Sequence, residues 1–100
     1  MLVALTVRKL KPGSVNAFRQ AFEPEEGDDR PKGWKRFYAI RNVDDEDEVI
    51  TFGFFDGTLE DLRASQQEGP YTQRRGSADE FVESISADGV YEILDERTFD

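Results

Sequence analysis

Residues 49–55 read VITFGFF, directly after VDDEDE, one of the most acidic stretches of a chain whose formal net charge is -9. A strand sends alternate side chains to opposite faces, so a strand with one wet face reads apolar, polar, apolar. Here Val49, Thr51, Gly53 and Phe55 fall on one side and Ile50, Phe52 and Phe54 on the other, and neither side is written for water. A strand of this kind belongs inside a sheet that is covered on both faces. With 100 residues the chain makes one domain, residues 1–100, and its helices can cover only one of those faces.

The rest of the sequence supplies the frame. LVALTVRKL (2–10) is a strand that stops at Lys11-Pro12-Gly13, and Ser14 is placed to start a helix with Val15, Phe18 and Phe22 along one stripe. PEEGDDRPKG (24–33) reads as a surface loop and WKRFYAIRNV (34–43) as a second strand. Asp44 to Glu48 form a hairpin into the third strand, which ends at Asp56-Gly57. Thr58 with Asp61 resembles a capping box for a helix to about Gln67, interrupted at Gly69-Pro70, with Gly76 allowing a second break. Ser77 with Glu80 opens a further helix whose apolar side carries Phe81, Val82 and Ile85, and Asp88-Gly89 turns into a last strand at 90–99.

That order, β-α-β-β-α-β, predicts an α+β fold of the ferredoxin-like kind: a four-stranded antiparallel sheet with its helices on one face. The first and third strands lie centrally in that topology, and they are the two most apolar strands here. The first gives Leu2 and Ala4 to one side and Val3, Leu5 and Val7 to the other. Burying each large side chain is worth roughly 1.5–3 kcal/mol. A second copy of the chain, packed sheet to sheet across a two-fold axis, is therefore the expected cover for the helix-free face. Long loops at 24–33 or 68–76 folding over it are the alternative.

Composition removes whole classes of chemistry. The chain has no cysteine and no histidine, which excludes disulfides, thiolate nucleophiles, Ser-His-Asp catalysis, imidazole-bound zinc and a haem-ligating histidine. The excess of acid argues against a nucleic-acid partner, and no apolar run approaches the ~20 residues that span a bilayer. No membrane partner and a cytoplasmic location are the expectation.

MLVALTVRKLKPGSVNAFRQAF resembles the opening of the antibiotic biosynthesis monooxygenase family, with its apolar strand, KPG-like turn and helix with a central Phe. ITFGFFDGTLEDLRASQQEGPY resembles that family's third strand and the helix after it, broken before a Pro-aromatic pair. The resemblance implies a dimeric α+β barrel and cofactor-free oxygenation of a phenolic, polycyclic substrate, so no cofactor is expected and a small aromatic molecule is the expected partner beside the second copy. The chain departs from the family at three places: many members carry an acid where Gly53 stands, a Trp where Phe55 stands and a His near Ser65.

Such a reaction needs an apolar pocket for a flat ring system and donors for its phenolate or carbanion. Strand alternation puts Trp34, Tyr38 and Asn42 on one face of the second strand as donors, with Arg36 beside them to meet enolate charge; these are the candidate catalytic residues. Gly53 and Phe55 form a candidate substrate recess, with Tyr71 and Tyr91 contributing from other elements. Each has a plainer account. Trp34 and Tyr38 also suit an edge strand or interface, Asn42 a hairpin turn, Arg36 and Arg41 pairing with carboxylates, and Gly53 close packing by a helix. The run Asp44–Glu48 offers oxygen ligands but lacks a calcium-loop pattern, and a solvated hairpin tip accounts for it. Gln73-Arg74-Arg75 is a basic island suited to an anionic substrate group or to a solvated helix end. An interior filled solid by Phe18, Phe22, Phe52 and Phe81 would leave no room for a ligand. A polyketide cyclase or isomerase, and a non-catalytic ligand-binding module, are the rival readings.

Overall fold

The structure, a computed structural model, describes residues 1–22, 32–67 and 69–100, with the side chains of 69–71 left aside. Seven elements follow in order: β1 (Leu2–Leu10), α1 (Val15–Phe22), β2 (Trp34–Asn42), β3 (Asp45–Phe55), α2 (Leu59–Ser65), α3 (Gly69–Asp79) and β4 (Val82–Glu92). The four strands form one antiparallel sheet in the order β2-β3-β1-β4, so the two most apolar strands are central. This is the expected α+β ferredoxin-like fold. The loop read over 24–33 lies, up to Pro31, outside the described residues.

Register decides which side chains share a face. Leu2, Ala4, Thr6 and Arg8 stand opposite Phe55, Gly53, Thr51 and Val49, and these line the helix-covered face. Leu10, Phe18, Phe22, Val49 and Ala78 form the buried core there, with Val15, Ala21, Phe81 and Val82 packed around it. It joins the ends of β1 and β3 to α1 and α3. At the far end α2 is capped by Thr58, whose side chain accepts from the Asp61 amide at 3.1 Å, and it buries Leu62 and Ser65.

Three boundaries correct the sequence reading. The helix expected from Ser77 is instead the end of α3 followed by β4. Helical spacing misled because β4 carries two irregularities against β1: Leu10 pairs with Val82 and Arg8 with Ile85, so residues three apart share one face. Gly76 does not break α3, and a Cβ there would touch nothing within 4 Å. The last strand stops at Glu92, which pairs with Leu2. One further ladder bond, from the Ile93 amide to the Met1 carbonyl at 3.3 Å, exhausts β1. Finally, the hairpin is tighter than 44–48. β3 starts at Asp45, leaving the turn to Val43 and Asp44, because Asp45 already pairs with Asn42 and holds Lys9 of β1.

Among the described residues the opposite face carries no helix. Val3, Leu5, Val7, Ile50, Phe52 and Phe54 stand on it half-buried, with Tyr38, Ile40 and Tyr91 exposed at 43%, 46% and 49%.

Candidate functional site

The second strand does not present one continuous face. Trp34 pairs with Phe55, but Arg36 pairs with Phe54, so Lys35 is an extra residue and the alternation flips there. Trp34 therefore turns to the helices, while Arg36 and Tyr38 lie on the bare face. The expectation that Trp34, Arg36, Tyr38 and Asn42 share one side is overturned by this bulge.

Trp34 lies over Gly53. A Cβ built on Gly53 would stand 2.9 Å from Trp34 Cζ3 and 3.2 Å from Cε3, so the close approach that a mid-strand glycine signals is made by an indole ring. The indole N–H donates to Ser65 Oγ at 3.0 Å, and Ser65 donates onward to the Leu62 carbonyl at 2.7 Å. Phe55, fully buried, meets the ring edge-on at 5.1 Å between centroids. Gly33, at φ 103°, lies so close to the Phe55 ring that a Cβ would fall 2.5 Å from its Cε2. The structure thus brings Trp34, Gly53 and Phe55 together.

Around them the helix-covered face is floored by small side chains. Gly53 pairs with Ala4 on one side and Phe37 on the other, and Thr51 pairs with Thr6 and Ala39. Phe18, Phe22 and Phe37 form a stacked run at 5.4 and 5.7 Å along one wall. Leu2 and Ala4 are half-buried and Phe37 and Ala39 exposed although all four share the helix-covered face, so the described helices cover this part of the sheet incompletely. Phe52 is on the bare face and does not fill this interior.

A polar band crosses the same face. Arg8 is buried, with 1% of its surface exposed; its Nη1 donates to Thr51 Oγ1 at 2.7 Å, and its guanidinium lies 5.4 and 4.9 Å from the Phe18 and Phe22 rings. Thr6 donates to Asp88 Oδ1 at 3.1 Å, and Arg75 of α3 pairs with Asp88 Oδ2 at 2.5 Å. The basic island read from the sequence thus sends Arg75 back to the sheet. Arg8 was missed as a candidate, although strand parity with Leu2 and Ala4 already places it on the inward face.

The remaining candidates lie elsewhere. Tyr38 stacks on Phe52 at 5.2 Å and meets Phe54 edge-on at 6.1 Å, on the bare face. Tyr91 is on that face too, opposite Val3. Asn42 serves the hairpin: its Oδ1 accepts from the Asp44 amide at 2.8 Å and its Nδ2 donates to Glu48 at 3.1 Å. Tyr71 belongs to α3, with its side chain outside the described residues. Among the described residues, no cluster of three or more acidic side chains could hold a metal ion, and no helix is long and apolar enough to cross a membrane. The acidic hairpin is spent internally, with Asp45 on Lys9 and Asp47 accepting the Gly13 amide.

No family model and no curated protein matches the chain. Solved structures do. A candidate antibiotic biosynthesis monooxygenase from Nitrosomonas europaea superposes with a TM-score of 0.76 at 22% identity, over 94% of this chain and 99% of that one. Another from Chloroflexus aurantiacus gives 0.77 at 12%, over 97% and 96%. SnoaB, a cofactor-independent oxygenase from Streptomyces nogalater, gives 0.71 at 9%, over 95% and 94%. At these identities the likeness establishes a shared fold along nearly the whole of both chains.

Proposed function

We propose that this protein is a homodimeric, cofactor-independent oxygenase that holds a planar aromatic or polyketide-like molecule between its helices and its sheet. The observation that carries the reading is the indole of Trp34 lying on Gly53 with Phe55 behind it, beside a floor of small residues and under an incompletely closed helix layer. A flat ring system fits such a slot, with aromatic walls to stack on. The name of SnoaB, which shares the fold, supports the reaction type. In such a reaction an acidic ring carbon or phenol gives up a proton, and the anion reacts with dioxygen. A ring CH2 becomes a carbonyl, and the second oxygen atom leaves in water.

The bare face supplies the dimer. Val3, Leu5, Val7, Ile50, Phe52 and Phe54 stand on it only half-buried, beside exposed Tyr38, Ile40 and Tyr91, and a contiguous apolar patch of this kind favours a partner surface. Tyr38, Arg36 and Tyr91 then belong to the interface of the two sheets, and Trp34, Gly53 and Phe55 to the ligand seat. Tyr71 is a further candidate lining residue from α3.

Within one protomer the indole N–H is already given to Ser65 and the Tyr38 phenol lies on the other face. That favours, as second reading, a module that binds the same ligand without oxidising it. Oxygen consumption with anthrone- and hydroquinone-type substrates decides: uptake is expected, and Trp34→Ala should slow it at least tenfold. Uptake unchanged in that variant would remove the proposed seat. Binding without uptake selects the module, and ring closure without uptake selects the cyclase.

A further inference from the structure

The chain holds two Asp-Gly pairs, Asp56-Gly57 and Asp88-Gly89, and the fold treats them in opposite ways. Aspartate before glycine is open to attack on its own side chain. With no Cβ on the second residue, nothing hinders the approach of its amide nitrogen to the carboxyl carbon. In a folded protein the attack depends on how firmly the two groups are held. Asp88 lies within β4 opposite Thr6, with Gly89 in the ladder opposite Leu5. Both of its oxygens are occupied: Oδ1 accepts from the Thr6 hydroxyl at 3.1 Å and Oδ2 from the Arg75 guanidinium at 2.5 Å. Asp56 lies just past the end of β3 and is exposed, as is Gly57. Among the described residues its carboxylate meets no donor and the Gly57 amide no acceptor.

From this contrast we infer that Asp56 is a site of spontaneous succinimide formation and isoaspartate ageing, while the fold protects Asp88. The Gly57 nitrogen bonds to the Asp56 carboxyl carbon, the carboxyl hydroxyl leaves as water with the amide proton, and a five-membered imide closes. Water then opens either imide carbonyl. Opening at the side-chain carbonyl restores aspartate. Opening at the main-chain carbonyl leaves the chain running through the side-chain carboxyl carbon, with one more methylene in the backbone and no change in mass. Neither step needs a ligand or an oxidant, so this ageing is independent of the reaction proposed above. Its position matters because only Asp56, Gly57 and Thr58 join β3 to α2. The Asp56 amide is tied to the Gly33 carbonyl at 2.8 Å, a Cβ on Gly57 would lie 2.8 Å from Phe55 Cε1, and Thr58 caps α2. A linker this short and this closely packed has no slack for an added methylene. The shift therefore passes to α2, whose Ser65 holds the Trp34 indole.

Trp34 is the only tryptophan in the chain, so its emission reports that shift directly. The test is prolonged incubation of the wild-type protein at neutral pH in heavy-oxygen water, where each opening of an imide inserts one labelled oxygen. Peptide mapping by electron-transfer fragmentation tells isoaspartate from aspartate and locates the label. Both should accumulate at Asp56 at least tenfold faster than at Asp88 in the folded protein, and at comparable rates when the chain is unfolded in denaturant. Trp34 emission should drift over the same time course. Asp56→Glu, whose longer side chain closes an imide far more slowly, should stop the drift. Equal rates at the two sites in the folded protein overturn the assignment, and so does a tenfold ratio that persists after unfolding. Isoaspartate that accumulates with no change in emission, or a drift that continues in Asp56→Glu, overturns the link from this site to Trp34.

Discussion

The two faces of this sheet are cut from the same four strands and could hardly be more different. The helix-covered face alternates bulk with vacancy: Phe55, Gly53, Thr51 and Val49 on β3 stand beside Leu2, Ala4, Thr6 and Arg8 on β1. It buries hydroxyls and a guanidinium, which are costly to dehydrate and remain only where hydrogen bonds and ring faces compensate. The bare face is apolar at its centre, with Tyr38, Phe52 and Phe54 in mutual ring contact and Arg36 standing on its β2 edge. One face buries polar groups among small side chains; the other leaves large apolar side chains half-buried or exposed. Under the proposed function the first is the face of the ligand and the second the face of assembly.

The largest break in that contrast comes from placing charge on the bare face. In a two-fold dimer Phe52→Asp acts twice, once in each subunit. Losing two large apolar side chains at roughly 1.5–3 kcal/mol each, with a carboxylate to dehydrate besides, weakens association by at least about a hundredfold at 1.4 kcal/mol per decade. Sedimentation equilibrium at micromolar concentration should show a dimer for the wild type and a folded monomer for the variant. A wild-type protein that is itself monomeric would end the proposal that this face is an interface.

That face could be read from the sequence, and the site only in part. VITFGFF places a two-sided apolar strand at the centre, and the alternation of Val3, Leu5 and Val7 against Leu2 and Ala4 shows which residues share a face. These signals survive because central strands keep strict period two. The edge strands lose it. One extra residue at Lys35 moves Trp34 away from Arg36 and Tyr38, and two irregularities in β4 space Val82 and Ile85 as a helix would. A bulge leaves no mark that propensity can detect, because its residues are ordinary and its cause is the pairing with another strand. Arg8 was hidden differently: a basic residue at a strand end reads as solvated, and only parity carried through to Leu10 shows that it points inward.

A middle-sized effect tests the helix-covered face from its tightest point. Gly53→Ala places a methyl 2.9 Å from Trp34 Cζ3 and 3.4 Å from the Arg36 carbonyl oxygen. The ring cannot swing aside freely, since Ser65 holds its N–H and Phe55 backs it. Overpacking of this kind costs about 1–3 kcal/mol. The expected outcome is a lower denaturation midpoint together with a shifted Trp34 emission maximum. Unchanged emission would mean that the indole is not pinned on the glycine, and the two faces would then be less unlike than the structure has them.

The smallest effect concerns the rim where the bare face meets the acidic hairpin. Lys9 of β1 pairs with Asp45 at the start of β3, in partly exposed surroundings. The hydrogen bond from Lys9, then one from the Asp47 amide, holds the Asp45 carboxyl below its ordinary 3.8. The bond to Asp45, with the charges of Asp45, Asp47 and Glu83, raises Lys9 above 10.5 against a smaller effect of desolvation. A lowered acid contributes stability above its unfolded value and loses it as pH falls through the folded one. A raised lysine contributes below its unfolded value and loses it as pH rises through the folded one. The pair should therefore stabilise the fold evenly across neutral pH and fade at both extremes. Melting curves of Asp45→Asn and wild type should differ by a small, constant amount from about pH 5 to 9, converge in acid and shrink in high salt. A gap that stays open at low pH would assign the contact to the geometry of the hairpin rather than to charge, and the rim would then belong with the neutral packing of the face it borders.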